Sequence, residues 1–256
     1  MKIKDLYAKL ALMYPTSLSC EWDNDGLMCC SDSSREVKKV LIALDVTDDT
    51  VTEAINGGYD LIISHHPLIF KPIFALNESV NVSCKLIKLI QNDISVMSFH
   101  TRLDAADGGV NDILAGILNL TDTVKFGDES TGEDSIGRIG STVVTELSDF
   151  ALSVKKVLNS PFVLYSGDLP VHKVAVVGGD GKDYIKCAKK FSADTYVTGR
   201  ASYNITAEAK NIGINIIEAG HFYTEDPVCK MLCEVVTAIA PEIITHHFNS
   251  NNISAI

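Results

Sequence analysis

Residues 37–64 read VKKVLIALDVTDDTVTEAINGGYDLIIS, and this stretch decides the fold class. Val37–Asp45 and Tyr59–Ser64 are short runs in which apolar residues follow one another, as they do in strands buried on both faces. Between them, Thr47–Asn56 carries apolar residues at helical spacing and ends at a pair of glycines, which commonly terminate helices. The stretch therefore predicts strand, helix, strand, the unit from which parallel α/β sheets are built.

The same pattern returns in the second half of the chain. Lys173–Val177 is predicted as a strand, Asp183–Phe191 as a helix and Ala193–Thr198 as a second strand. Each stretch runs from a Lys-Val pair through an apolar strand, a turn and a helix to an aspartate that precedes another strand.

Matching positions in the two stretches keep one offset. Val174 stands 134 residues after Val40, and Asp194 stands 134 residues after Asp60. Such repetition predicts a duplicated α/β unit, with a first repeat over residues 1–125, a second over residues 126–256 and a functional site where they meet. The alternative is a chance likeness between two ordinary α/β units.

A further likeness follows each stretch. The segment ISVMSFH, Ile94–His100, resembles INIIEAGH, where it lines up with the stretch from Ile214 that ends at Gly220 or at His221. With His100 placed against His221, Asp104 falls on Glu225, so each half carries a strand, a histidine and an acid four residues later. Elsewhere the pattern predicts a helix over Met1–Pro15, a polar loop over Asp128–Ile136, a strand over Thr142–Thr145, a helix over Asp149–Leu158 and a strand over Glu242–Thr245.

Composition excludes several classes of protein. The formal net charge is −11, whereas a protein that coats nucleic acid needs clustered lysine and arginine. No segment approaches the roughly 20 apolar residues of a membrane helix, and the N-terminal helix lacks the features of a signal peptide. We therefore expect a cytoplasmic protein without nucleic-acid or membrane partners. The seven cysteines are odd in number and include no CxxC pair, which predicts buried thiols rather than a disulfide framework.

Two adjacent histidines, His65 and His66, directly follow the predicted strand LIIS. Adjacent side chains at a strand end point in roughly opposite directions, so two neighbouring metal ions would bind them more easily than one. The alternative is a surface pair without a ligand.

His100 with Asp104, and His221 with Glu225, follow two further strands. A helix that begins at His221 would place Glu225 on the same face, four residues on. Either pair alone also fits a hydrogen-bonded histidine and a capping acid. Ligands of open α/β sheets, however, bind at the carboxyl ends of strands, and imidazole and carboxylate suit Zn, Mn and Fe. Three histidines and two carboxylates exceed what one catalytic zinc uses but suit two bridged ions, so the spacing predicts a metal site.

Other features are weaker. Residues 178–182, GGDGK, lack the GxxxxGK[ST] pattern of a phosphate loop, and we interpret them as a glycine-rich turn. His246 and His247 have no acid at matching spacing and are interpreted as a surface or packing pair. Trp22, the sole tryptophan, lies in EWDNDGL and either supports that loop or lines a pocket. No GxSxG motif occurs, so a serine hydrolase is unsupported.

Taken together, the motifs resemble the NIF3-like family, also called DUF34 and often labelled GTP cyclohydrolase 1 type 2 homologues. The resemblance runs along nearly the whole chain, in the order EWDNDGL at 21–27, ALDVTDDTV at 43–51, DLIISHHPLIF at 60–70, FHTRLDAADGGVND at 99–112, TGR at 198–200 and GHFYTE at 220–225.

This resemblance implies an α/β fold of two intertwined repeats with mixed sheets. It also implies two divalent metal ions per chain (Zn, Fe or Mn) and a homohexameric ring with the sites facing an inner cavity. Carried onto this sequence, the metal ligands are His65, His66, Asp104, His221 and Glu225, with Glu225 as the bridge.

Two positions depart from the family pattern. Family members usually carry an acid directly after TG and a histidine a few residues on, whereas this chain has Arg200 and Asn204 there. The implied metal ligands are unchanged, but the polarity of the pocket differs, which puts a substrate taken from relatives in doubt.

The hypothesis that unites these features is a metal-dependent hydrolase of a small molecule, with a nucleotide or a cyclic amide as the substrate. His100, which is not among the five ligands, is the candidate either for an acid–base residue or for a residue that supports the ligands from beside Asp104. Arg102 and Arg200 are candidate phosphate contacts or ordinary surface residues. The alternatives are a non-enzymatic metal-binding, trafficking or scaffold protein and a regulatory partner of other proteins.

Overall fold

The computed structural model describes residues 1–128 and 132–254. It divides into two compact units. The first comprises Met1–Leu103 and Val228–Asn252, so it is built from both ends of the chain, and the second comprises Asp104–Pro227 with the last C-terminal residues. Each unit is organised around its own mixed sheet. The predicted fold class, α/β with mixed sheets, is confirmed.

The strands of the described residues share a short length, with one long exception. In chain order they are β1 (Gly26–Cys29), β2 (Lys39–Ala43), β3 (Leu61–Ser64), β4 (Ser95–Ser98), β5 (Thr121–Asp128), β6 (Glu133–Thr145), β7 (Leu164–Ser166), β8 (Val171–Val177), β9 (Thr195–Thr198), β10 (Asn215–Glu218) and β11 (Ile244–His247).

The helices of the same residues lie mainly between these strands. They are α1 (Ile3–Met13), α2 (Asp48–Asn56), α3 (Asn81–Gln91), α4 (Thr101–Ala105), α5 (Val110–Ile117), α6 (Leu147–Val157), α7 (Ile185–Lys190), α8 (Tyr203–Ile212), α9 (His221–Glu225) and α10 (Pro227–Ile239).

The sheet of the first unit has the strand order β1-β4-β3-β2-β11. Strands β4, β3, β2 and β11 are parallel, and β1 pairs with β4 in the antiparallel direction. All four residues of β3 and of β4 are buried, as the apolar runs predicted. Helices α2 and α3 cover one face, where Val51 and Leu89 share a core with Leu41, Ile62 and Val96.

The sheet of the second unit has the order β5-β6-β8-β9-β10-β7. Strands β8, β9 and β10 are parallel, whereas β5, β6 and β7 join in antiparallel pairs. Helices α5 and α6 supply Leu114, Phe150 and Val154 to a core with Val176 and Ile217. The parallel centre of this sheet is the repeat that the sequence predicted.

The two aspartates of the repeat have the same local role. Asp60 accepts hydrogen bonds from the backbone N–H groups of Lys38 and Lys39, at 2.8 and 3.0 Å. Asp194 accepts them in the same way from His172 and Lys173, at 3.0 and 2.7 Å. In both units the carboxylate thus ties the start of the second strand to the start of the first.

Of the two alignments left open for the second likeness, the structure fits the one that sets His100 against Gly220. Leu61 pairs with Ser95 in the first sheet, and Thr195 pairs with Asn215 in the second. Helices α4 and α9 also begin 120 residues apart. His100 therefore corresponds to the residue before His221, because the loop after β10 holds one more residue before its histidine.

Three predicted boundaries were wrong. The polar loop over Asp128–Ile136 is shorter, because β6 begins at Glu133; residues 129–131 lie outside the described part of the chain. The predicted strand over Thr142–Thr145 is only the end of β6. Near the C-terminus, β11 begins at Ile244 and includes His246 and His247, which were placed after the strand.

Two exclusions from composition can be compared with the structure. Among the described residues, no helix is both long and apolar enough to cross a membrane. The seven cysteines, all within the described residues, form no disulfide bond, and four of them are buried.

Candidate functional site

In the first unit, three histidines meet at the carboxyl ends of neighbouring strands. His65 and His66 follow β3, His100 follows β4, and these two strands pair in register from Leu61 with Ser95 to Ser64 with Ser98. The ring centroids lie 5.0 to 5.6 Å apart. Each histidine offers one ring nitrogen, and the three nitrogens lie within 4.8 Å of one another.

The ring of His65 is oriented by the backbone. Its Nδ1 lies 2.9 Å from the carbonyl oxygen of Phe99, and the ring is fully buried. A carbonyl oxygen only accepts hydrogen bonds, so Nδ1 carries the hydrogen and the lone pair is on Nε2. This is the tautomer in which a histidine binds a metal through Nε2 while its other nitrogen is held in place.

Carboxylates hold the other two rings in the same way. Nδ1 of His66 lies 2.8 Å from Oδ1 of Asp45, and Nδ1 of His100 lies 2.8 Å from Oδ1 of Asp23. A carboxylate that accepts from the far nitrogen of a histidine fixes the ring and strengthens it as a metal ligand. The sequence reasoning did not assign Asp45 or Asp23 to the site.

Asp23 is the most extensively bonded of these carboxylates. Its side chain is fully buried, and besides His100 it accepts hydrogen bonds from the backbone N–H and the hydroxyl of Thr101, at 3.0 and 2.6 Å. Burial raises the pKa of the Asp23 carboxyl, but the hydrogen bonds and the nearby His100 outweigh burial and lower the pKa to about 2. Asp23 is therefore ionised at neutral pH and fixes the start of α4 beneath His100.

Arg102, a candidate phosphate contact or surface residue, has neither role. It is fully buried, and its guanidinium forms a two-pronged ion pair with Asp25, in which Nε lies 2.7 Å from Oδ2. It also donates to the carbonyl oxygen of Tyr14 at 3.1 Å, and Asp25 accepts from the backbone of His100. Arg102 is thus a structural cation that anchors the loop before β1.

In the second unit, His221 and Glu225 lie on one face of α9, as their spacing predicted. His221 Nε2 lies 2.9 Å from Oε2 of Glu225, whose side chain is buried. Asp104 offers a carboxylate oxygen within 4.8 Å of one from Glu225. Two carboxylates at this separation repel each other in a poorly solvated place, whereas a divalent cation between them would turn the repulsion into attraction. The donor set of this unit therefore fits a cation.

Gly179 makes room for this pair. Its φ is +60°, and an added Cβ would overlap Oε1 of Glu225 and lie 3.1 Å from Nε2 of His221. Only glycine combines this left-handed backbone with so close an approach. The sequence reasoning missed this role, although the two glycines directly after an apolar strand were a signal.

Three backbone N–H groups of the glycine-rich stretch donate hydrogen bonds to side chains of the protein itself. The N–H of Gly178 donates to Asn111 at 2.8 Å, that of Gly179 to Thr224 at 3.1 Å and that of Gly181 to Thr198 at 3.1 Å. A phosphate loop needs such N–H groups for its ligand. Residues 178–182 therefore form a glycine-rich turn, as interpreted.

The remaining candidate residues have ordinary surroundings. Arg200 is exposed, and its backbone N–H donates to the carbonyl of Gly179 at 2.8 Å. Asn204 is exposed on α8. His246 packs against the ring of Tyr59, with 6.4 Å between the centroids.

The chain is similar to known proteins along nearly its whole length. The family model described as Duf34/NIF3 (NGG1p interacting factor 3) matches residues 1–252. A protein of Clostridium perfringens called "GTP cyclohydrolase 1 type 2 homolog" is 35% identical over 241 residues, covering 92% of this chain and 91% of that protein. One of the same name from Clostridium acetobutylicum is 34% identical, covering 89% of this chain and 86% of its own. Among solved structures, a hypothetical protein of Staphylococcus aureus is 30% identical, with a TM-score of 0.90, over 100% of this chain and 99% of that one.

Proposed function

Because this chain belongs to the Duf34/NIF3 family, we propose that it is a metal-dependent hydrolase of a small molecule. Two divalent cations (Zn, Fe or Mn) would be held by His65, His66, Asp104, His221 and Glu225. The single observation that carries the proposal is the donor chemistry of the two units. The first presents three buried or half-buried imidazoles with oriented tautomers, and the second presents two closely spaced carboxylates and a histidine.

Glu225 is the residue that we assign as the bridge between the cations. It is buried, its Oε2 lies 2.9 Å from Nε2 of His221, and the backbone of Gly179 lies against its carboxylate. A carboxylate confined on three sides has few alternative rotamers, which suits a ligand that must keep both oxygens in place. When bound, the cations would supply Lewis acidity, which activates water and polarises the scissile bond.

His100 is the residue to which we assign proton transfer. Its Nδ1 is engaged by Asp23, so Nε2 is the atom that would exchange a proton with the substrate. The ionised Asp23 keeps the ring in one orientation and stabilises the imidazolium that forms when Nε2 takes a proton, as a buried aspartate does beside other catalytic histidines.

The substrate class that we propose is a nucleotide or a cyclic amide. Relatives at 35% and 34% identity carry the name of a GTP cyclohydrolase homologue, which supports GTP as the first compound to examine. Arg200 is an exposed cation whose backbone N–H donates to the carbonyl oxygen of Gly179. Gly179 in turn lies against Glu225, so Arg200 is close to the candidate ligands of the second unit. It is our candidate for a phosphate contact, because a guanidinium binds phosphate oxygens in pairs.

A non-enzymatic metal-binding, trafficking or scaffold protein is the second candidate. The observation that favours it is the third histidine: with His100, the first unit alone offers three ring nitrogens within 4.8 Å. If His100 binds a cation rather than moving a proton, the protein supplies more ligands and leaves fewer positions for water. A closed shell of protein ligands is typical of structural metal sites, and an open position of catalytic ones.

Measurement of GTP ring opening separates the two candidates. Protein loaded with Zn, Mn or Fe is incubated with GTP, and the change in purine absorbance is followed for the parent and for His100→Ala. Turnover that is lost in His100→Ala, with metal content unchanged, supports the hydrolase. Loss of bound metal in His100→Ala, with no turnover by the parent on nucleotides or cyclic amides, supports the second candidate.

We also propose that the chain assembles with itself as a homohexamer. Support comes from large apolar side chains that are exposed on the second unit: Val143, Val144, Leu152, Leu164 and Tyr165. Of these, Leu152 and Tyr165 line one surface groove, and exposed apolar patches mark interaction sites in soluble proteins. Light scattering on the purified protein tests this, since a mass of six chains supports it and a mass of one chain contradicts it.

A further inference from the structure

Two aromatic side chains beside His100 are exposed to solvent. Trp22 is 57% exposed and Phe70 is 45% exposed. Nevertheless both rings approach the ring of His100, with 6.1 Å between centroids in each case. Large apolar rings normally bury most of their surface, so their exposure next to a candidate catalytic histidine asks for an explanation.

The three rings stand nearly at right angles to one another. The planes of Trp22 and His100 meet at 75°, those of Phe70 and His100 at 90°, and those of Trp22 and Phe70 at 77°, again with centroids 6.1 Å apart. The three rings therefore meet at one place, where Trp22 and Phe70 keep about half of their surface exposed to solvent. We call Trp22, Phe70 and His100 the aromatic corner.

The aromatic corner is held by buried and bridging hydrogen bonds. Asp23, next to Trp22, is fixed by its bonds to His100 and Thr101. The side-chain amide of Asn24 donates to the carbonyl oxygen of Ile69, the residue before Phe70, and so ties the two loops together. Walls held in this way lose little entropy when a ligand arrives, which favours binding over a pair of loose surface rings.

We propose that the aromatic corner binds a planar heteroaromatic ring of the substrate, an inference that rests on the proposed function. A flat ring stacks on one aromatic face while the edges of the others contact its rim, the two arrangements that aromatic pairs prefer. An organic cation would fit an aromatic wall as well. It is disfavoured here, because the neighbouring imidazoles are the proposed ligands of divalent cations.

The position of the aromatic corner also supports its assignment as the binding site of a planar ring. His100 is both a wall of the corner and the proposed proton-transfer residue, so a ring that stacks there lies beside Nε2. Trp22 and Phe70 would then set which rings are accepted, and His100 would act on the ring that they hold. The aromatic corner thus narrows the proposed substrates to those with a nucleobase-like ring.

Trp22 provides the probe, because it is the sole tryptophan in the chain. Its fluorescence is titrated with guanosine, and with ribose as the non-aromatic control. The protein carries Asp104→Ala, so that the titration does not depend on bound metal. We expect saturable quenching by guanosine and none by ribose.

Phe70→Leu is the test variant and Phe74→Leu its matched control. Phe74 lies in the same loop and is 97% exposed. Base–aromatic stacking is worth about 5- to 150-fold in affinity, so Phe70→Leu should raise the Kd for guanosine about fivefold or more, whereas Phe74→Leu should leave it unchanged. Trp22→Leu, measured by equilibrium dialysis, should weaken binding at least as much.

Two results would overturn the inference. One is quenching that rises linearly with guanosine and never saturates, which is the behaviour of random collisions. The other is an equal loss of affinity in Phe70→Leu and Phe74→Leu. Either result would overturn the assignment of the aromatic corner and would say nothing against metal binding or turnover. A parent protein that binds guanosine but no metal would instead contradict the proposed function and leave the aromatic corner standing.

Discussion

The ring of His100 donates a hydrogen bond of 2.8 Å from Nδ1 to Oδ1 of Asp23, a residue 77 positions earlier in the chain. The Asp23 side chain is fully buried, and its remaining acceptor bonds come from Thr101 and from the backbone N–H of Asn24. It contacts none of the five proposed ligands in these bonds, yet it determines how His100 is presented. This relationship separates the roles of metal binding and proton transfer, which allows each to be tested alone.

Asp23→Ala should reduce turnover without reducing metal content. Loss of the partner that orients a histidine typically costs about 10- to 100-fold in activity, and we expect a fall of that size in the rate of GTP ring opening. Asp32→Ala is the control, since exposed Asp32 bonds only within its own turn, to Ser34. An unchanged rate in Asp23→Ala would show that the orientation of His100 is irrelevant to the reaction.

Gly179→Ala should displace Glu225 and lower the number of bound cations. The added Cβ would overlap the Glu225 carboxylate, and the left-handed backbone adds strain of about 1–2 kcal/mol. Gly108→Ala is the matched control, because Gly108 has φ +70° and no atom within 4 Å of an added Cβ. Both variants should lose the stability that the left-handed backbone costs, and Gly179→Ala somewhat more because of the overlap, but only Gly179→Ala should lose metal. Equal metal content in the two would contradict the role assigned to Gly179.

Arg102→Ala should destabilise the fold strongly. It would leave Asp25 as a buried charge without its cation, a change that typically costs about 3–5 kcal/mol in the free energy of unfolding. Arg200→Ala, at an exposed position, should change stability by less than about 0.5 kcal/mol and instead weaken the binding of GTP relative to guanosine. If Arg102→Ala folded with normal stability and lost GTP affinity, Arg102 would be the phosphate contact after all.

Part of the fold was predictable because local patterns determine it. The apolar runs before Asp60 and Asp194 form the buried parallel strands, and both aspartates make the same backbone bonds. Strand β5 was not predicted, because its first five residues are exposed and lack the apolar alternation of a half-buried strand. The start of β6 was mistaken for a loop because its residues are polar, and pairing with β5, from Asp128 opposite Glu133 to Phe126 opposite Gly137, holds it in the sheet.

The candidate site residues likewise divide into those that local sequence patterns identify and those that they do not. His65 and His66 follow one strand, and His221 and Glu225 share one face of α9, so spacing alone identified each of these two pairs. The role of Gly179 depends on where α9 places Glu225, and the contact of Asp23 with His100 joins distant parts of the chain. Neither of these two contacts can be predicted from the spacing of residues along the chain. The spacing likewise left His100 opposite either Gly220 or His221, and only the register of the two sheets selects Gly220.

The measurement that tests the central claim most directly is a count of metal ions per chain. Protein purified without chelator or nickel resin is analysed by plasma mass spectrometry, before and after incubation with Zn, Mn or Fe. Asp104→Ala and Glu225→Ala are compared with Asp107→Ala, whose carboxylate is 88% exposed. We predict close to two ions per chain in the parent and in Asp107→Ala, and a sharp fall in the other two variants. A parent protein that binds no metal after incubation, or variants that retain both ions, would contradict the account.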